Sequence, residues 1–176
     1  SVMDLLLALT EDAVHEVIWT DALLDEWERV IVGEQKRSEK TAASITAAIR
    51  GFFADTKIER DDYEHLIGEM PGDDPDDHEH MAAAVAAGAT VLLTRNARDF
   101  PSEPLAARGL RVTDPDTYLC ELAGELPDEV ADTVVRLADE KQKPPKTAAM
   151  LLDDLGHAGV PRFAATMRGI LSARGL

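Results

Sequence analysis

Three carboxylates stand where a helix face or a strand end would hold them against apolar neighbours. Glu26 follows Leu23 by three residues and precedes Val30 by four. On a helix it therefore falls inside or at the edge of the stripe formed by Leu23, Trp27, Val30 and Ile31. A buried carboxylate is costly unless it is paired or bound to a metal. The plain alternative is that Glu26 swings to the rim and pairs with Arg29 or Arg50. Asp77 precedes Met81 by four and extends the inward stripe Met81, Ala84, Val85, Gly88 toward its N-terminal end. Asp73, Asp74 and Asp76 crowd the same turn. Acids at a helix start satisfy the dipole and the free amides, which accounts for one or two of them. Four repel one another, and a divalent cation would relieve that repulsion. The third place is Thr94-Arg95-Asn96-Ala97-Arg98-Asp99, directly after the apolar run Val91-Leu92-Leu93. Ligands of parallel α/β sheets bind beyond the carboxyl ends of strands. Here Thr94, Asn96 and Asp99 offer oxygen, unless they only close the loop as an Asx-type turn.

Oxygen donors with a single cysteine, Cys120, suit Mg²⁺ or Mn²⁺ better than a structural zinc. His78-Glu79-His80 does not fit a helical zinc pair, because its histidines are two apart and point to different sides. That tripeptide reads as solvated helix surface.

The elements that must position these groups alternate. Helices are expected over residues 3 to 10, from Asp21 capped by Thr20 to about Gly33, and over Ser38 to Phe53. Val14 to Trp19 reads as a strand, Lys57-Ile58 as a short strand, and Asp61 to Ile67 as a short helix. The loop 68–77 leads into a helix capped by Asp74, with Pro75 first and Gly88 just past its end. Thr90 to Thr94 is expected as a buried strand. A short helix from Glu103, a strand at Leu110 to Val112 and a helix from Asp114-Pro115 follow. Beyond about residue 125 everything reads as helix: Pro127 to Lys141, Thr147 to His157, and a last one through Leu171 carrying the stripe Phe163, Met167, Ile170, Leu171. This is an α/β layer pattern with a parallel sheet and a helical tail. It opens on a helix, where such domains usually open on a strand.

The three segments, in order, resemble a PIN-domain nuclease. The carriers are Leu24-Asp25-Glu26-Trp27-Glu28-Arg29, then Asp76-Asp77 through His80-Met81-Ala82-Ala83-Ala84, then Thr94-Arg95-Asn96-Ala97-Arg98-Asp99-Phe100. The likeness covers about residues 3 to 120 and is nearest to bacterial VapC-like toxins of toxin–antitoxin pairs. Val160-Pro161-Arg162-Phe163-Ala164 resembles a C-terminal extension of one branch. The resemblance implies a PIN-like three-layer α/β/α sandwich with a short parallel sheet over residues 1–122 and a helical extension over 123–176. It implies an endoribonuclease using Mg²⁺ or Mn²⁺. Glu26, Asp77 and Asp99 would be the metal-holding acids, and Asn96 stands where many relatives have Asp. Thr94 would orient water or phosphate, and Arg95 and Arg98 would hold RNA. The implied partners are RNA, a cognate antitoxin and a second copy in a homodimer. The family's first acid, at the end of a first strand, precedes the helix matching residues 3–11. The chain is therefore expected to lack that strand and that acid, and to be impaired. The alternative is a non-catalytic module whose helical tail and open sheet edge bind a partner protein.

Composition bounds these readings. In 176 residues, 18 Lys and Arg face 34 Asp and Glu, a net charge of −16, which argues against nucleic-acid binding by bulk charge alone. An RNA ligand would have to be gripped locally. No apolar run is long enough to span a bilayer, and the start has no basic region of a signal peptide. A cytoplasmic, membrane-free protein is expected.

Overall fold

The computed structural model describes residues 1–33 and 37–176. Its elements run α1 (Val2–Glu11), α2 (Asp21–Gly33), α3 (Glu39–Phe52), α4 (Arg60–Tyr63), α5 (Pro75–Ala86), β1 (Val91–Leu93), α6 (Ser102–Ala106), β2 (Arg111–Thr113), α7 (Pro115–Glu125), α8 (Pro127–Asp139), α9 (Ala148–His157) and α10 (Pro161–Ala173). Short 3-10 turns occupy Ala54–Thr56, Glu64–Glu69 and Ala97–Asp99. The expected α/β character holds, with a short parallel sheet and a helical C-terminal region. Among the described residues the sheet has two strands, β1 and β2. The Arg111 N–H donates to the Thr90 carbonyl at 3.0 Å, and the Thr94 N–H to the Thr113 carbonyl at 3.1 Å. The residues of β1 are half-buried rather than buried.

One expected strand does not form. After α1 the chain turns at Ala13, whose φ is +56°. The Val14 N–H donates back to the Leu9 carbonyl at 2.9 Å. The His15 ring is held by the Leu6 carbonyl and the Tyr118 hydroxyl. Residues 14 and 15 are thus tied back to α1, and of the run to Trp19 only Trp19 pairs. It forms a single parallel bridge to Lys57, so the short strand expected at Lys57-Ile58 is reduced to the same bridge.

The chain forms two compact units, with boundaries that fall next to or within β1 and β2. One comprises Ser1–Val17, Leu93–Ala97 and Thr113–Leu176. Its core packs Leu5 and Leu9 of α1 with Leu119, Val130, Val134, Leu152, Phe163 and Met167. Arg136 on α8 closes the end of α1. Its guanidinium donates to the Ala8 carbonyl at 3.1 Å and to Asp12 at 3.1 Å, while the Thr133 hydroxyl donates to Asp12 at 2.7 Å. A cation against the last carbonyls of a helix also complements its dipole.

The other unit comprises Ile18–Leu92 and Arg98–Val112. Its core joins Tyr63, Met70, Met81, Ala82, Ala83, Leu105 and Leu110. α2 packs on α3 through Leu24, Ile31, Ala42 and Ile49, all buried. Helix α5 starts as the sequence dictates. The Asp74 carboxylate accepts from the Asp76 N–H at 3.0 Å, and Pro75 sits in the first turn where no donor is needed. It ends as expected at Gly88, whose φ of +66° is the left-handed conformation that favours glycine.

Candidate active site

The buried residues Met81, Ala82 and Ala83 fix the rotation of α5. With that side turned inward, Asp77 and His80 are half-buried neighbours, three residues apart and on one face. The His78 ring nitrogen Nε2 lies 2.8 Å from the Gly72 carbonyl and ties the first turn to the preceding loop. His80 Nε2 lies 2.7 Å from Glu26 Oε2 on α2. The contact therefore joins two helices that are 54 residues apart in sequence. An ionised carboxylate only accepts, so Nε2 carries the hydrogen. Burial raises the Asp77 carboxyl above its ordinary value, and the negative charges of Asp74, Glu26 and Asp76 add to that, against the pull of His80. Glu26, Asp77 and His80 are thus close enough to feel one another electrostatically.

Helix α2 is rotated relative to the expected stripe. Leu24 and Ile31 are buried, whereas Leu23 is 39% exposed. Glu26 accordingly faces outward, its side chain 53% exposed. The acid on the inner side is Glu28, which accepts from the buried Thr46 hydroxyl. Arg50 pairs with Asp21 at 3.3 Å, Asp25 at 3.0 Å and Glu28 at 3.6 Å. The partner of Glu26 is therefore neither Arg29 nor Arg50 but His80. The expected stripe began at Leu23, but packing against α3 buries the adjacent Leu24 instead.

The third segment divides between the two units. Thr94, Arg95 and Asn96 belong to the first, Arg98 and Asp99 to the second. The Asn96 N–H donates to the Thr94 hydroxyl at 3.2 Å, so a side-chain-closed turn does form here. Arg95 donates to the Ala158 carbonyl at 3.3 Å and lines a cleft of about 520 Å³ with Asp114, His157 and Val160. Arg98 and Asp99 are exposed, Asp99 at the end of its 3-10 turn. Among the described residues, no three His, Cys, Asp or Glu side chains are gathered closely enough to hold a metal ion.

Sequence reading missed His80. Its signal is its place three residues after Asp77, on the same helix face. Glu79 is half-buried rather than freely solvated. It accepts from Arg60 at 2.8 Å and from the Tyr63 hydroxyl at 2.9 Å, and burial together with this carboxylate pushes the Tyr63 phenol up to about 12.

The PIN domain family profile matches residues 1–98. The chain belongs to the PIN-domain family. The match takes in Glu26, Asp77, Thr94, Arg95, Asn96 and Arg98 and stops one residue short of Asp99. A second profile, the VapC50 C-terminal domain, matches residues 115–169. This PIN-domain chain is also 33% identical over 106 residues to a Mycobacterium tuberculosis (strain ATCC 25618 / H37Rv) protein named "Putative ribonuclease VapC50". That similarity covers 60% of this chain and 62% of the relative, less than two thirds of the relative's length. No solved structure matches the chain. Among the described residues no helix is long and apolar enough to cross a membrane.

Proposed function

We propose that the chain is a metal-dependent endoribonuclease, the toxin of a toxin–antitoxin pair, with RNA as substrate and a cognate antitoxin as partner. The observation that carries this reading is the meeting of Glu26 on α2 with the Asp77 and His80 face of α5, in a PIN-domain chain. The donors suit Mg²⁺ or Mn²⁺: both acids offer oxygen, and a cation would relieve the repulsion from Asp74, Glu26 and Asp76 that adds to burial in raising Asp77. Mg²⁺ commonly takes one or two carboxylates and keeps waters or substrate phosphates elsewhere, so a pair suffices as a start. Glu26 and Asp77 would hold it, with Asp99 a direct or water-mediated third. When bound, the cation lowers the pKa of water and stabilises charge on a phosphate. Asn96 and Thr94 would orient water or phosphate. Arg95 and Arg98 would hold the backbone of an RNA that the chain's net charge of −16 otherwise repels. Self-association as a homodimer and a cytoplasmic location accompany the reading.

Cleavage of a single-stranded RNA in Mn²⁺ tests it. Glu26→Gln and Asp77→Asn should each lower the rate by about 100-fold or more, the scale of losing one electrostatic stabiliser. Unchanged cleavage in either variant removes that residue from the site. Binding of an antitoxin without any metal-dependent cleavage would favour the interaction-module reading.

A further inference from the structure

We propose that His80 is a positioning residue for Glu26: its imidazole N–H holds one carboxylate oxygen and so presents the other toward Asp77. This rests on the metal reading of Glu26 and Asp77. Three observations lead to it. Glu26 stands on an exposed face of α2, where a free glutamate side chain would sample many rotamers. Among the described residues no arginine is recorded against it: Arg29 on the same helix donates to the Asp25 carbonyl, and Arg50 on α3 is taken by Asp21, Asp25 and Glu28. His80 is the better ordered partner: its side chain is only 20% exposed, and it rises from a helix whose next three residues are buried.

The geometry separates two roles for one face of α5. Asp77 offers its carboxylate, and His80, one turn further, fixes the acid that arrives from α2. A carboxylate held by one oxygen keeps lone pairs on the other for a cation, and hydrogen-bond partners of metal ligands commonly tune affinity by 10- to 100-fold. His80 acts through Glu26 and need not touch the cation.

The test is titration of Mn²⁺ alone into the full chain, with free Mn²⁺ read by electron paramagnetic resonance. His80→Ala should weaken binding by about 10-fold. His80→Gln should retain most of the wild-type affinity, because the glutamine amide places a donor near the position of Nε2. Circular dichroism on each variant registers whether it folds; if the alanine variant does not, loss of Mn²⁺ affinity in a folded glutamine variant overturns the proposal. Wild-type affinity in His80→Ala overturns the proposal. Equal loss in both variants also overturns it, because a ligating imidazole, unlike a hydrogen-bond donor, is not replaced by an amide nitrogen. Glu26→Gln and Asp77→Asn are run alongside. If neither changes Mn²⁺ binding, the metal reading itself falls and this proposal with it, a result distinct from failure at His80 alone.

Discussion

His15 shows how one side chain can tie stability to pH. Its Nε2 lies 2.7 Å from the Leu6 carbonyl and its Nδ1 2.8 Å from the Tyr118 hydroxyl, with the two rings stacked at 5.8 Å. A carbonyl only accepts, so Nε2 bears the hydrogen and Nδ1 accepts from the tyrosine in the neutral ring. Burial holds the imidazole below its ordinary 6.5, partly offset by the bond to Leu6. The folded chain therefore resists a proton that the unfolded chain takes up. The stabilising effect is complete above about pH 6.5 and is lost as pH falls toward the folded-state value. Urea midpoints should drop between about pH 7 and 5, and His15→Gln should flatten that part of the profile relative to the wild type. Parallel profiles for the two proteins would sink the argument. The other titratable groups are common to both proteins, so the comparison isolates His15.

At the scale of elements, the junction of α7 and α10 depends on one acid. Asp116 is 8% exposed, yet it lies in the first turn of α7 without serving that helix as its cap. Its carboxylate instead accepts from the Phe163 N–H at 2.8 Å, the Arg162 N–H at 3.2 Å and the Arg162 Nε at 3.2 Å. It caps α10 from another helix, where Val160 provides no side-chain acceptor. Replacing it with alanine leaves buried amides unpaired, which costs about 1–3 kcal/mol. Asp116→Asn keeps one acceptor and should fall between alanine and wild type. Arg162→Ala removes a largely exposed partner and should cost under about 1 kcal/mol. Chemical denaturation of the three variants checks the order, and an Arg162 effect equal to that of Asp116→Ala would overturn the capping account. This device is also where sequence reading reached its limit. Val160-Pro161-Arg162-Phe163 stood out as a pattern and Phe163 as core, because helical periodicity and Pro-first starts are local signals. Asp116 gave no such signal, since its partners lie 46 and 47 residues away. The same division explains the site. Asp77 was legible from the Asp74-Pro75 start of α5, a local rule. The Glu26–His80 contact was not, because which of two adjacent leucines faces α3 is decided by packing between helices.

For the whole molecule, the cut that matters is the one through the chain's own cores. Leu5 and Leu9 of α1 are fully buried, and their cluster is built from α7, α8, α9 and α10. At the end of α1, Arg136 of α8 holds the Ala8 carbonyl, and Arg136 and Thr133 both hold Asp12. A chain ending at residue 122 would return these two leucines to water at a cost of about 1.5–3 kcal/mol each. It would also leave the end of α1 without its guanidinium. A helix of 10 residues is marginal without tertiary packing, so α1 should unfold rather than persist exposed. Hydrogen exchange on residues 1–122 expressed alone should show the amides of α1 losing protection altogether. The α5 amides, whose core of Tyr63, Met81, Leu105 and Leu110 lies wholly before residue 122, should keep theirs. Protected α1 amides in the short chain would mean that the helical C-terminal region is dispensable to the core it lines, and loss of protection in α5 as well would mean that the two units unfold together.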